Sequence, residues 1–369
     1  MPSIQPSIRP WGQPFRGFLE EHVIESVVLR GNPLGDPTER PIWVYLPPAY
    51  ARDRTRRFPT VFVIQGMTGQ VDMWANRSAF RKNVPELVDD LFGDEQGTRA
   101  GPDDGRTPAP PAIVVFVDCW TSVGGSQFLD SPGTGRYHTY LCDEVVPWVD
   151  EHFRTLAEAA HRGIAGKSSG GYGAMVTPML RPDLFGGLAT HAGDALFEVC
   201  YQPEFSECAR FLRDRYDGSF ERFWTDFGSR PPMSRPEDPA LVNEWAMASA
   251  YSTDDDGTVR MPFDIATGEL LPDVWERWLR WDPVRMARTT AGLAALRSQR
   301  AIWIDAGTRD EYFLDLGAEA FRRVCVAAGA GSPGGPDLHF ELFDAKHGGI
   351  EYRYPLALRW LAERLSPDR

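Results

Sequence analysis

At 369 residues the chain is longer than a typical single domain and has room for one large core with an insertion, or for two units. With 42% hydrophobic and 25% charged residues it has the composition of a folded globular protein, and a formal net charge of −13 argues against nucleic acid or an anionic membrane as main partner. Five cysteines fall in no C-x-x-C pair and no zinc-like spacing, so reduced core thiols are expected, although one disulfide is compatible with the sequence. The first fifteen residues, MPSIQPSIRPWGQPF, contain no apolar leader core and nothing long enough to span a bilayer. The expectation is therefore a cytoplasmic protein.

Taken in order, residues 1–20 read as a Pro-rich surface arm. His22–Arg30 and Pro41–Pro47 follow as two strands joined by GNPLGDP. Phe58–Gln65 and Ala112–Asp118 are short apolar runs of the kind found in strands buried on both faces. Between them lie a helical stretch at Ser78–Leu91 and a long polar loop at 93–111. Helical spacing over 135–160 puts Val145, Val149 and Phe153 on one side. Then come a strand at Gly163–Gly166, a helix at Gly170–Leu180 and a strand at Phe185–His191. After a break, Arg300–Ala306, Leu314–Ala328, Leu338–Phe343 and Tyr354–Leu365 alternate strand and helix. Repeated β–α units of this kind predict a mostly parallel sheet with helices on both faces, an α/β class fold. Residues 195–295 interrupt the alternation with Trp, Arg, Asp and Pro, and read as an inserted, mainly helical cap with pieces at Glu207–Arg215 and Val274–Trp281. The organisation expected is a core in two parts, 1–194 and 296–369, with the cap between them.

The chemistry concentrates at Gly166-Lys167-Ser168-Ser169-Gly170, a G-x-S-x-G between an apolar strand and a helix. In that context the serine occupies a sharp, strained turn. Its hydroxyl stands above the sheet, and the helix N-terminus points at a developing oxyanion. Gly166-Lys167-Ser168 also resembles the end of a phosphate-binding loop. That motif wants a glycine where His161 stands, and the strand runs right up to Gly166.

A serine nucleophile needs a base, and the base an orienting carboxylate; in a strand–turn–helix hydrolase both follow the serine in the chain. Of the seven histidines only His347 lies in a Gly-flanked loop after the last strand, in DAKHGG. Asp310, in the acidic loop after Ala301–Asp305, is the preferred acid over Asp305 and Glu311. The oxyanion donors expected are the N–H groups of Ser169 and Met67, the latter in Gly66-Met67-Thr68-Gly69. Substrate-contact candidates at strand ends and in the cap are Gln65, Trp120, His191, Asp194 and Trp224, with Trp245, Trp275, Trp278 and Trp281 as a possible roof. Gln65 could instead brace the hole, and the tryptophans read more readily as cap core. Neither a metal site nor a cofactor fingerprint is expected.

Together, RPIWVYLPPAY, FPTVFVIQGMTG, YLCDEVVPWVDEHF, GIAGKSSGGYGAM, DAGTRDEYF and KHGG resemble the esterase D–like family, which includes S-formylglutathione hydrolases, enterochelin, feruloyl and acetyl-xylan esterases, and antigen 85 mycolyltransferases. The resemblance covers most of residues 40–194 and 300–365. It implies an α/β-hydrolase fold with eight strands and a triad at Ser168, Asp310 and His347. It also implies an oxyanion hole at Met67 and Ser169 and hydrolysis of a small-molecule ester or thioester through an acyl-serine without cofactor. An acyltransferase or an idle binding protein on the same scaffold are the alternatives. Lys167 stands where the family often has His, and Gln65-Gly66-Met67 where it often has H-G or S-G-L.

Overall fold

The computed structural model describes residues 14–76, 80–93 and 108–367. Most of the arm expected at 1–20, the start of the helix expected at Ser78 and most of the loop at 93–111 lie outside the described residues.

Eight strands form one sheet: β1 (Phe18–Glu25), β2 (Glu39–Leu46), β3 (Thr60–Ile64), β4 (Ile113–Val117), β5 (Arg162–Lys167), β6 (Gly187–His191), β7 (Ala301–Gly307) and β8 (Asp337–Phe343). Their order is β1-β2-β4-β3-β5-β6-β7-β8. Strands β3 to β8 run parallel; β1 and β2 are antiparallel additions at one edge. The first strand begins at Phe18 rather than His22 and stops at Glu25, because Val27–Arg30 turn instead of pairing.

Every residue of β3 and β4 is buried, as expected of central strands covered on both faces. Their side chains alternate: Phe62 and Ile64 join one core, Val61 and Val63 the other. The first core is closed by α3 (Ser169–Leu180, numbered after α1 and α2 below), of which only Leu180 is exposed. The second lies under α1 (Val84–Phe92) and α12 (Arg353–Leu365), which pack on the opposite face. A capping box starts α1, with Asn83 accepting from Glu86 N–H and Glu86 accepting from Asn83 N–H.

The helix expected over 135–160 is shorter and irregular. A π-helical stretch at Tyr140–Val145 leads into α2 (Val146–His152). Pro147 has no N–H for the carbonyl of Asp143, so a regular α ladder cannot cross that point.

Between β6 and β7 the chain forms seven helices: α4 (Phe197–Cys200), α5 (Gln202–Tyr216), α6 (Phe220–Gly228), α7 (Asp238–Tyr251), α8 (Pro272–Leu279), α9 (Pro283–Arg288) and α10 (Thr290–Arg297). Another flanking helix, α11 (Leu314–Ala327), follows β7. The tryptophans of the insertion pack among themselves. Trp278 is fully buried against Phe205, Trp275 and Tyr251 and donates to Ser252 Oγ at 2.8 Å. Trp224 and Trp245 meet edge to face within a cluster of Phe220, Phe223 and Phe227.

Within α7, Glu244 is completely buried and neither carboxyl oxygen has a hydrogen-bond partner among the described residues. Burial, with neighbouring Glu204 adding to it, pushes its pKa well above the usual carboxylate range. An acid whose folded pKa is raised costs nothing below its unfolded pKa and destabilises increasingly as pH climbs above it, by up to about 1.4 kcal/mol per pH unit. Glu244→Gln, a neutral isostere of the protonated acid, should therefore match the parent Tm near pH 4.5 and exceed it by several degrees at pH 8. A Tm difference of equal size at both pH values would show that Glu244 is not the titrating group.

Candidate active site

The parallel register aligns the strand ends that carry the expected chemistry. Ile64 lies opposite Gly166, Lys167 opposite His191, His191 opposite Asp305, and Asp305 opposite Glu341. The loops after β3, β5, β7 and β8 therefore open along one edge, as the topology of an open parallel sheet requires.

At the end of β5 the chain turns sharply into α3. Ser168 sits at φ 58° and ψ −128°, a conformation costly for a residue with a Cβ. Two features hold it there. Its N–H donates to the carbonyls of His191 (3.0 Å) and Ala192 (3.1 Å), and its own carbonyl accepts from Tyr172 N–H at 2.8 Å. The turn also needs bare backbone on both sides: a Cβ on Gly166 would stand 2.3 Å from the Gly170 carbonyl oxygen, and one on Gly170 2.5 Å from that of Ile64.

His347 lies in the loop after β8, with its Nδ1 2.8 Å from Asp310 Oδ2. A carboxylate there only accepts, so Nδ1 carries the shared proton and Nε2 is left as the basic nitrogen. Asp310 is buried, and its other oxygen accepts from Tyr312 N–H at 2.9 Å. Tyr312 packs edge-on against the imidazole, with centroids 5.0 Å apart. Glu311 holds the loop from the other side, accepting from His347 N–H at 3.0 Å.

Asp305 is occupied elsewhere. Its carboxylate accepts from His191 Nδ1 (2.7 Å), Trp303 Nε1 (2.8 Å) and Arg353 Nε (2.9 Å) inside the sheet. Burial works against its charge, but His191 and Arg353 hold its pKa below the usual carboxylate value.

Ser168, His347, Met67, Ser169 and Lys167 all line one cavity of about 1120 Å³. The N–H groups of Met67 and Ser169 have no hydrogen-bond partner among the described residues. The loop bearing Met67 is fixed by Thr68 N–H donating to Gly124 O at 2.7 Å, and Gly66 runs close beside the Lys167 carbonyl.

Residues 127–328, more than half of the chain, match a family model described as "Putative esterase". The chain belongs to this esterase family. Curated relatives include the uncharacterized protein YbbA of Bacillus subtilis, 32% identical over 159 residues that make up 42% of this chain and 57% of that protein. Esterase Rv1288 of Mycobacterium tuberculosis is 32% identical over 93 residues, 24% of this chain and 20% of that esterase. The matches thus span less than two thirds of these relatives' own length. Among solved structures, a ferulic acid esterase superposes with a TM-score of 0.56 at 19% identity, covering 96% of this chain and all of that one. An S-formylglutathione hydrolase from Agrobacterium tumefaciens gives 0.54 at 16% identity, covering 96% and 98%. The fold is that of the α/β-hydrolases.

Of the residues expected to contact substrate in this esterase-family chain, Asp194 lies on the cavity wall. Its buried carboxylate accepts from Tyr201 Oη (2.8 Å), Gln127 Nε2 (3.3 Å) and Ser169 Oγ (3.3 Å), while burial raises its pKa. The other four are placed away from that wall. Gln65 braces the strand ends instead: oriented to satisfy its neighbours, its amide donates to Val117 O and accepts from the N–H groups of Cys119 and Trp120. The carbonyl of Trp120 accepts from Arg40 and Tyr137, tying that loop to β2. His191 is buried against Asp305 and Tyr354 because strand alternation turns its side chain into the α12 face. Trp224 belongs to the aromatic cluster inside the insertion. Wall residues that the sequence did not single out include Tyr201, Glu204 and Asn243 from the insertion. All five cysteines are buried and free. No helix among the described residues is long and apolar enough to cross a membrane.

Proposed function

We propose that this protein hydrolyses a carboxylic ester or thioester through an acyl-serine intermediate. The observation that carries the reading is the strained Ser168 at a strand-to-helix turn, opening onto the same cavity as an imidazole whose far nitrogen is held by a buried carboxylate. Ser168 Oγ attacks the carbonyl carbon as His347 Nε2 takes its proton. Asp310 keeps the imidazole in the required tautomer and stabilises its charged form. The carbonyl oxygen, now an anion, is received by the N–H groups of Met67 and Ser169, each such donor being worth roughly 3 kcal/mol in the transition state. When the tetrahedral adduct collapses, His347 returns the proton to the departing alcohol or thiol. Water then repeats the sequence on the acyl-serine and releases the acid.

The helical insertion acts as a cap in this reading. Tyr201, Glu204 and Asn243 bring its helices to the cavity wall, so they, rather than the buried tryptophans, bound the acyl group. The partner is a small-molecule ester, and the reaction as written needs no cofactor. A fluorophosphonate probe should add one label per chain, mapped to Ser168 by peptide mass. Incubation with 4-nitrophenyl butyrate should release butyrate in step with nitrophenolate. A chain that is folded but neither labelled nor active on a panel of esters and thioesters would be a binding protein on a hydrolase scaffold.

A further inference from the structure

Two cationic side chains on the cavity wall beside the candidate nucleophile have no partner among the described residues. Lys167 lines the cavity, and among the described residues its ammonium has neither a hydrogen bond nor an ion pair. Burial lowers its pKa, opposed by the longer-range attraction of Glu351, Asp310 and Glu311. Arg81 lines the same cavity and is likewise without a partner among the described residues; its Nη1 lies 3.8 Å from where a Cβ of Gly349 would stand. Lys82 beside it is already paired with Asp90.

These two cations share one side of the cavity. Lys167 precedes Ser168 directly, Arg81 stands beside Gly349, and His347, Gly349 and Glu351 of the one loop line the cavity with both cations. The charges that attract Lys167 belong to that loop and to the Asp310 turn that supports it. If the chain is the hydrolase proposed above, that side has a defined occupant. The base must hand its proton to the leaving oxygen, so the leaving group lies on the imidazole's side and the acyl group on the other. Of the three carboxylates that line the cavity among the described residues, Glu351 lies on the cations' own side, exposed to solvent, and the other two do not compete. The carboxyls of Asp194 and Glu204 are both pushed toward their neutral forms, chiefly by burial.

We propose that Lys167 and Arg81 form a subsite for an anionic leaving group, so that the preferred esters carry a carboxylate or phosphate on their alcohol or phenol portion. An unpaired, partly buried ammonium is a costly arrangement unless a ligand anion completes it, and a guanidinium adds directional hydrogen bonds to the same oxygen cluster. The protein as a whole carries a net charge of −13, which repels anions, so any preference for them has to be local.

The inference rests on the hydrolase reading, and one assay separates the two. Methyl 3-acetoxybenzoate is the neutral substrate, 3-acetoxybenzoate carries a carboxylate on the leaving phenol, and 3-acetoxyphenyl phosphate carries a phosphate there. Rates are normalised to alkaline hydrolysis of each ester. The expected result is a kcat/KM at least tenfold higher for one or both anionic esters than for the neutral one, the carboxylate and phosphate arms showing which anion is preferred. Lys167→Met and Arg81→Met should each lower that ratio about tenfold, mainly through KM, and added salt should lower it in the parent. Arg81 is exposed, so its variant reads the subsite even if Lys167→Met does not fold. Turnover of the neutral ester with an anionic-to-neutral ratio of one or less, or a ratio unchanged in the folded variants, overturns the subsite and leaves the hydrolase intact. No turnover of any of the three, with no fluorophosphonate label, overturns both.

Discussion

Ser168→Ala is expected to reduce ester turnover by about 10⁴-fold or more while the protein stays folded. The hydroxyl opens onto the cavity, so its loss removes no core contact, and the turn itself is held by backbone bonds that alanine keeps. Far-ultraviolet circular dichroism and Tm should match the parent. Ser169→Ala tests the register of the turn. Its hydroxyl approaches Asp194 at 3.3 Å, whereas its proposed part in the reaction is played by the backbone N–H, which survives the substitution. If Ser169→Ala were the inactive variant and Ser168→Ala retained turnover within tenfold, the nucleophile would be assigned one residue too early.

The second large effect separates two neighbouring carboxylates by what they are paired with. Asp310→Asn should lower kcat by roughly 10⁴-fold with Tm nearly kept, because an amide no longer stabilises the imidazolium and favours the wrong tautomer. Asp305→Asn should act on stability instead. It would leave Arg353 buried beside an amide and strip His191 of its charged partner, and breaking such a pair typically costs about 3–5 kcal/mol. Thermal melts and steady-state kinetics on both variants check this. Full stability with lost kcat in Asp305→Asn, together with near-normal kinetics in Asp310→Asn, would move the acid to Asp305.

How much of this was legible in the sequence depends on what each signal encodes. Runs such as TVFVI and IVVFV announce strands buried on both faces because no polar residue interrupts them, and both are central in the sheet. The turn at Ser168 was legible because its steric demand allows only glycine at 166 and 170, and His347 and Asp310 because chain order and loop position left few rivals. In the insertion, the helical pieces expected at 207–215 and 274–281 overlap α5 and α8, whereas α7 is not legible in the sequence. Helix α7 is buried almost all round, so it has no polar stripe to set a helical period, and its Glu244 looks like a surface residue until the packing is seen. The tryptophans had the right composition for a pocket, yet composition does not say which way a ring faces; here they fill the insertion. His191 lies at the expected strand end, but its side chain points to the α12 face, where it pairs with Asp305, its neighbour on the next strand. Lys167 stands out in the sequence as a departure from the family pattern. That it lines the cavity with no partner among the described residues is a matter of tertiary packing around the His347 loop, which no local signal encodes.

The loop carrying His347 is secured at both ends. Asp310 and Glu311 grip residue 347 itself, and six residues later Arg353 is bonded to Asp305 and Glu341 at the ends of β7 and β8. Between these anchors, Gly348 to Tyr352 form a span whose side chains the His347 imidazole does not depend on for its position. In evolutionary terms this is a permissive segment, where drift or directed selection can exchange Glu351 or Tyr352 on the cavity wall while the imidazole stays where it is. A lineage could thus acquire a new leaving-group preference by changing a few exposed positions, without first passing through an inactive ancestor.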